Sequence, residues 1–159
     1  MAEEAMTFMV EDARILFRNF AGQKTQYNAE GARNFSVVLT DEMAEKMLAD
    51  GWNVKFLAPR EEDEAPTPYI QVKVNFSIKP PRVVMITSTA RTHLGPESIS
   101  VLDWADIKTC DLIARAYNWE VNGKTGISAY LQSMFITIEE DELERKYALQ
   151  EQEGISAAD

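Results

Sequence analysis

Two alternating stretches joined by a glycine turn limit most strongly what this chain can fold into. Residues 111–121 alternate in side-chain type, Asn122-Gly123-Lys124-Thr125-Gly126 turns the chain, and residues 127–138 alternate again. Asn-Gly is a strong hairpin signal, because both residues tolerate the positive φ that a tight turn needs. Side chains at i, i+2 and i+4 of a strand share one face. Ile113, Arg115, Tyr117, Trp119 and Val121 therefore form one row, and Leu112, Ala114, Ala116, Asn118 and Glu120 form the other. One reading turns the Arg-Tyr-Trp row outward as a surface for unpaired bases and phosphates. The other buries Tyr117 and Trp119, as large aromatics usually are. A slip of one residue exchanges the two faces, so the pattern alone leaves the register open.

The rest of the chain supplies further strands. Residues 8–20 read as a first strand, with Ile15 and Phe17 on one face. A polar loop from Ala21 to Arg33 carries Lys24, Tyr27 and Arg33, and residues 34–39 read as a second strand. Thr40 to Gly51 is a helix: Thr40 suits the N-cap, Asp41 and Glu42 suit the positive end of the dipole, and Gly51 suits the stop. Met43, Met47 and Leu48 make its apolar stripe, which reads as packing. Residues 52–57 form a third strand, with Trp52, Val54 and Phe56 inward and Asn53 and Lys55 outward. An acidic, proline-bearing loop follows from Ala58 to Pro68. Tyr69 to Ile78 is the cleanest alternation. Ile70, Val72, Val74, Phe76 and Ile78 face the core; Tyr69, Gln71, Lys73, Asn75 and Ser77 face outward, as in a half-buried antiparallel strand. Pro80-Pro81 breaks it, residues 82–87 form a fifth strand, and Ser88 to Ser100 is a loop holding His93. After the hairpin, Glu139 onward reads as an acidic helix with Leu143 and Tyr147 on one side.

About seven short strands and one internal helix in 159 residues predict a mainly β domain. The expected form is an OB-like small β-barrel over residues 1–138, with residues 139–159 as an acidic C-terminal helix and tail. No apolar run approaches the ~20 residues of a membrane span. The first residues show no basic and apolar leader. One cysteine excludes an internal disulfide framework and suits a reducing cytoplasm.

The net charge of −10 argues at first against a nucleic-acid partner. Its distribution removes the objection. Residues 139–159 hold eight acidic and two basic side chains, and Glu61-Glu62-Asp63-Glu64 adds another acidic run. What remains is close to neutral, with its cations free to cluster.

Catalysis lacks parts. One His and one Cys cannot build the usual zinc site, and no phosphate loop, dinucleotide fingerprint or nucleophile elbow is present. Asp103, Asp106 and Asp111 lie close in sequence, but in so acidic a chain a solvated edge is the better reading than a Mg²⁺ site. No cofactor or metal is called for. A binding face is better supplied: Lys55, Tyr69, Lys73, Arg115, Tyr117 and Trp119 on strands, with Lys24, Tyr27, Arg33 and Lys124 on loops and the turn.

Three stretches, RNFSVVLTDEMAEKMLADGWNVK (33–55), YIQVKVNFSIKPPRVVMIT (69–87) and residues 111–147 with the block YNWEVNGK, cover about half the chain. They resemble the single-stranded-DNA-binding proteins encoded in the replication modules of tailed bacteriophages. The resemblance implies an OB-like fold and the coating of unpaired DNA in phage replication or recombination, inside the host cytoplasm. It also implies replication or recombination proteins as partners of residues 139–159. It leaves a homodimer open and supplies no residue-level binding map. Related sequences place proline where this chain has Ala116. The competing reading is a phage β-sandwich assembly protein whose aromatic hairpin is a subunit interface, since Arg and aromatics are enriched there too.

Overall fold

The computed structural model describes residues 6–139 except 27, 60 and 78. Its spine is the hairpin. Strands β8 (Ile107–Val121) and β9 (Lys124–Ile138) each run 15 residues and pair antiparallel. The turn is tighter than the expected five residues: only Asn122 (φ 52°) and Gly123 (φ 79°) lie outside the strands. Positive φ at both central residues is the type I′ condition, whose twist matches that of the flanking strands. Lys124, Thr125 and Gly126 are thus already ladder residues.

Strand β9 organises its neighbours in two halves. Its first half takes β5 (Thr67–Val74) in parallel, pairing Val72 with Ala129 and Lys73 with Tyr130. Its second half takes β6 (Arg82–Ile86), also parallel, from Arg82 beside Ser133 to Ile86 beside Thr137. The Pro80-Pro81 break separates the two. β3 (Arg33–Val38) pairs with β5, and β2 (Ile15–Asn19) with β3, while β1 (Thr7–Val10) lies along β8. The resulting order is β1-β8-β9-β5-β3-β2, with β4 (Val54–Leu57) on β5 and β7 (Arg91–Leu94) on β6. A short 3₁₀ helix, Ile99–Asp103, packs on β2.

The ladder is open, and residues 11–14 step across the gap. The Ala13 N–H donates to the Cys110 carbonyl at 2.6 Å, and the Val38 N–H donates to the Arg14 carbonyl at 2.9 Å. The expected single strand over 8–20 is therefore two, because one segment must serve both edges. Asp12 turns it at φ 50°, and its N–H donates to Asp111 Oδ1 at 2.7 Å. This mainly β, incompletely closed barrel with one internal helix is OB-like in architecture.

The core follows the predicted alternation. Ile70, Val72 and Val74 are buried, facing Phe35 and Val37 across the ladder, and Leu112, Leu131, Met134 and Ile136 line the hairpin side. β5 ends at Val74, so Phe76 lies past the strand, and Ile78 falls outside the described residues. Helix α1 (Asp41–Asp50) is capped as expected. Thr40 Oγ1 accepts the Met43 N–H at 3.2 Å. Gly51 (φ 97°) and Trp52 donate their N–H groups to Leu48 and Met47 carbonyls. Ala44 and Met47 are its buried residues; Leu48, one step around the helix, is exposed, contrary to the stripe read from sequence. Phe56 is also exposed, because β4 covers only the far end of β5, where its partner is Pro68. The expected loop over 88–100 contains β7, with exposed His93 opposite Val84.

Candidate nucleic-acid interface

The two-residue turn sets the hairpin register, and with it which side chains share a face. Arg115 pairs with Tyr130, Tyr117 with Ser128 and Trp119 with Gly126, while Ala114 pairs with Leu131 and Ala116 with Ala129. Ala114, Ala129 and Leu131 are buried, and Tyr117 is 52% exposed. The Arg-Tyr-Trp row therefore points outward. Small alanines occupy the inner face, Ala114 and Ala129 buried and Ala116 partly so.

The same outer face continues across the sheet. Tyr69, Gln71 and Lys73 of β5 alternate with the buried residues, Asn34 and Ser36 of β3 lie opposite Lys73 and Gln71, and Lys55 of β4 lies opposite Tyr69. Two recesses cut into it. One, of about 510 Å³, includes Phe17, Lys55, Tyr69 and Trp104 in its lining; the other, of about 610 Å³, includes Arg33, Lys73, Phe76 and Tyr130. Asn28, Asn34 and Gln71 border both, so the two form one trough over β2, β3, β5 and β9.

Aromatic rings stand along it. Phe17 meets Tyr69 edge-on at 5.9 Å between centroids, and Tyr117 meets Tyr130 at 5.5 Å. Tyr130 also carries two cations: Arg115 Cζ lies 5.3 Å and Lys73 Nζ 5.8 Å from its centroid. Trp104 is 84% exposed. Its segment is held from both sides. Asp103 carboxylate oxygens accept the Phe20 and Ala21 N–H groups at 2.7 and 3.1 Å, and Arg18 Nη1 donates to the Leu102 and Ala105 carbonyls at 2.9 and 2.7 Å.

The residues named from sequence divide into groups. Lys55, Tyr69, Lys73, Arg115 and Tyr117 share the outer face around the trough. Trp119 and Lys124 continue it toward the hairpin tip, where the indole lies against Gly126. Arg33 lines the trough, but its guanidinium is tied to the carbonyls of Phe20 (2.7 Å) and Pro96 (2.9 Å) and sits 5.8 Å from the Phe76 centroid. Lys24 is exposed on the loop between β2 and β3 and lines neither recess. Tyr27 lies outside the described residues.

Phe17, Trp104 and Tyr130 are the residues that sequence reasoning missed. Phe17 shares parity with Ile15, but a positive φ of 51° at a register shift turns it outward, 60% exposed. Trp104 lies in a segment with no periodic pattern. Tyr130 did carry a signal: counting back from a two-residue Asn-Gly turn sets it opposite Arg115.

Asp103 and Asp111 accept backbone N–H groups, and no metal-holding cluster of His, Cys, Asp and Glu occurs among the described residues. Burial, and secondarily the Asp111 charge, push the fully buried Cys110 thiol up to about 12, so no thiolate is available near neutral pH. No helix among the described residues is long and apolar enough to cross a membrane.

A family model for the phage ssDNA-binding domain matches residues 2–155. Among solved structures, a C-terminally truncated single-stranded DNA-binding protein from bacteriophage Enc34 matches with TM-score 0.56 and 13% identity, covering 85% of this chain and 87% of that one. The Enc34 protein in complex with ssDNA matches with TM-score 0.53 and 12% identity, covering 85% and 88%. At such identities the likeness is one of fold. No curated protein matches the chain.

Proposed function

The chain belongs to the phage ssDNA-binding domain family, and from that premise we propose that it coats unpaired DNA during phage replication, without reading sequence and without a catalytic step. The observation that carries the residue-level reading is the coincidence, on and beside one sheet face, of wholly or partly exposed rings with cations. Phe17, Tyr69, Trp104, Tyr117 and Trp119 offer flat surfaces to successive bases; Lys55, Lys73, Arg115 and Lys124 neutralise phosphates between them. Base–aromatic stacking tolerates sequence because every base has a π-face, and it contributes about 1–3 kcal/mol per base. The amide-rich floor at Asn34 and Gln71 offers polar contacts along the way. The domain reading keeps residues 1–138 as the binding unit and 139–159 as an acidic appendage. Partner enzymes of phage replication are the protein class such an appendage would serve.

Tryptophan fluorescence tests this directly. Titrating a short oligo-thymidine at low salt is expected to quench emission from the exposed Trp104 until saturation, and added salt is expected to restore it. For single strands log K should fall by about 0.7 per phosphate contact for each decade of salt. A titration with neither quenching nor a gel shift at micromolar protein would sink the reading. Salt-insensitive association of the protein with itself would instead favour the subunit-interface alternative.

A further inference from the structure

We propose that Tyr130 is a positioning residue whose ring holds Arg115 and Lys73 together as one phosphate clamp. The inference rests on the single-stranded-DNA reading above and deepens it. Three side chains from the outer rows of two strands, β8 and β5, converge on this ring. Arg115 comes from the directly opposite β8 position, with its Cζ 5.3 Å from the centroid. Lys73 comes from the β5 position beside Tyr130, with its Nζ 5.8 Å away. Tyr117 closes edge-on at 5.5 Å.

Cations within about 6 Å of an aromatic face are attracted by its quadrupole. Here two are drawn to one ring, and among the described residues neither has a carboxylate partner. The strands that carry the two cations flank that of Tyr130, so positive charge stands on either side of the ring, and an anion settling at its outer edge is attracted by both. A phosphate oxygen of a nucleic-acid backbone fits, since the site borders the trough that Lys73 and Tyr130 line. Tyr130 thus aims charge and need not stack a base itself.

The roles of aiming and stacking separate by salt dependence. Oligo-thymidine affinity is measured across a salt series for the full chain, for Tyr130→Leu and for Tyr130→Phe. The unmodified chain comes first: if it fails to bind, the single-stranded-DNA reading falls before any variant is compared. With a positioning role, Tyr130→Leu weakens low-salt binding about five- to tenfold and flattens the slope of log K against log salt by about 0.7, one phosphate contact. Tyr130→Phe, which keeps the ring face, restores the slope. In a Lys73→Gln, Arg115→Gln background, Tyr130→Leu leaves the slope unmoved. Weaker binding with an unchanged slope in Tyr130→Leu would make the ring a stacking platform and overturn the proposal. So would Leu behaving like Tyr. Coincident melting curves establish that the fold is intact in each variant.

Discussion

Trp104 leaves 84% of its surface to solvent, next to Phe17 at 60%. Two large rings exposed at one recess are unusual on a soluble surface, and the proposed base-stacking role would use both. Replacing Trp104 by Ala is expected to weaken oligo-thymidine binding by about 5- to 150-fold, the equivalent of ~1–3 kcal/mol, and to leave the melting temperature unchanged. Equal affinities for the variant and the parent would remove Trp104 from the interface. Gly126 makes a different demand. A Cβ there would lie 2.5 Å from Trp119 Cζ2 and 2.7 Å from Cε2, so the indole rests on bare backbone. Gly126→Ala should swing Trp119 away, raise its accessibility to a neutral quencher such as acrylamide, and cost about 1–3 kcal/mol as overpacking does. An unaltered Trp119 emission spectrum and quenching constant would show that the neighbouring strand yields instead.

Among the elements, helix α1 and β5 were legible from sequence and β7 was not. The helix announced itself through Thr40 and Gly51, whose capping roles depend on a few neighbouring backbone groups. Thr40→Ala should therefore lower stability by about 1 kcal/mol, read as a lower urea midpoint with an unchanged slope. A midpoint equal to that of the parent would mean that water replaces the Thr40 Oγ1 bond. β5 announced itself because its inner face is buried and its outer face is not. β7 is four residues, Arg-Thr-His-Leu, of which only Leu94 is buried. It is a strand because β6 offers it an edge, and no periodic pattern is needed for that. The break between β1 and β2 has a similar origin: a continuous strand could not pair with both β8 and β3.

For the whole molecule, acidity and nucleic-acid binding coexist because charge is partitioned. Eight of the acidic residues fall in 139–159, while Lys55, Lys73, Arg115 and Lys124 share one sheet face. If that segment competes electrostatically with DNA, deleting residues 139–159 should raise affinity for oligo-thymidine, most at low salt. Unchanged affinity in a deletion variant of normal melting temperature would rule the competition out. Cys110 couples the core to pH. Its thiol goes from the ordinary value of 9.0 to about 12 in the folded protein. Raised folded-state pKa means that its contribution to stability is fully present below pH 9 and is lost as pH rises toward 12. Denaturation midpoints should therefore fall over that window, and Cys110→Ala should flatten the fall. A parallel decline in both proteins would assign the alkaline loss to other groups.

The sequence by itself determined the mainly β class, the hairpin with Asn-Gly at its tip, the helix with both caps, and the inner row of β5 from Ile70 to Val74. Each depends on local geometry: periodicity, positive φ, or a side chain reaching its own backbone. Tertiary structure alone decided which face of the hairpin looks outward. A period of two fixes which residues travel together but not which set is buried, and that choice waits on where β5, β6 and β1 dock. It also decided that Arg33 braces carbonyls of distant loops, that Phe17 turns outward, and that Trp104 reaches the trough. These placements depend on partners as far away in sequence as residues 96, 102 and 105, which no local pattern encodes.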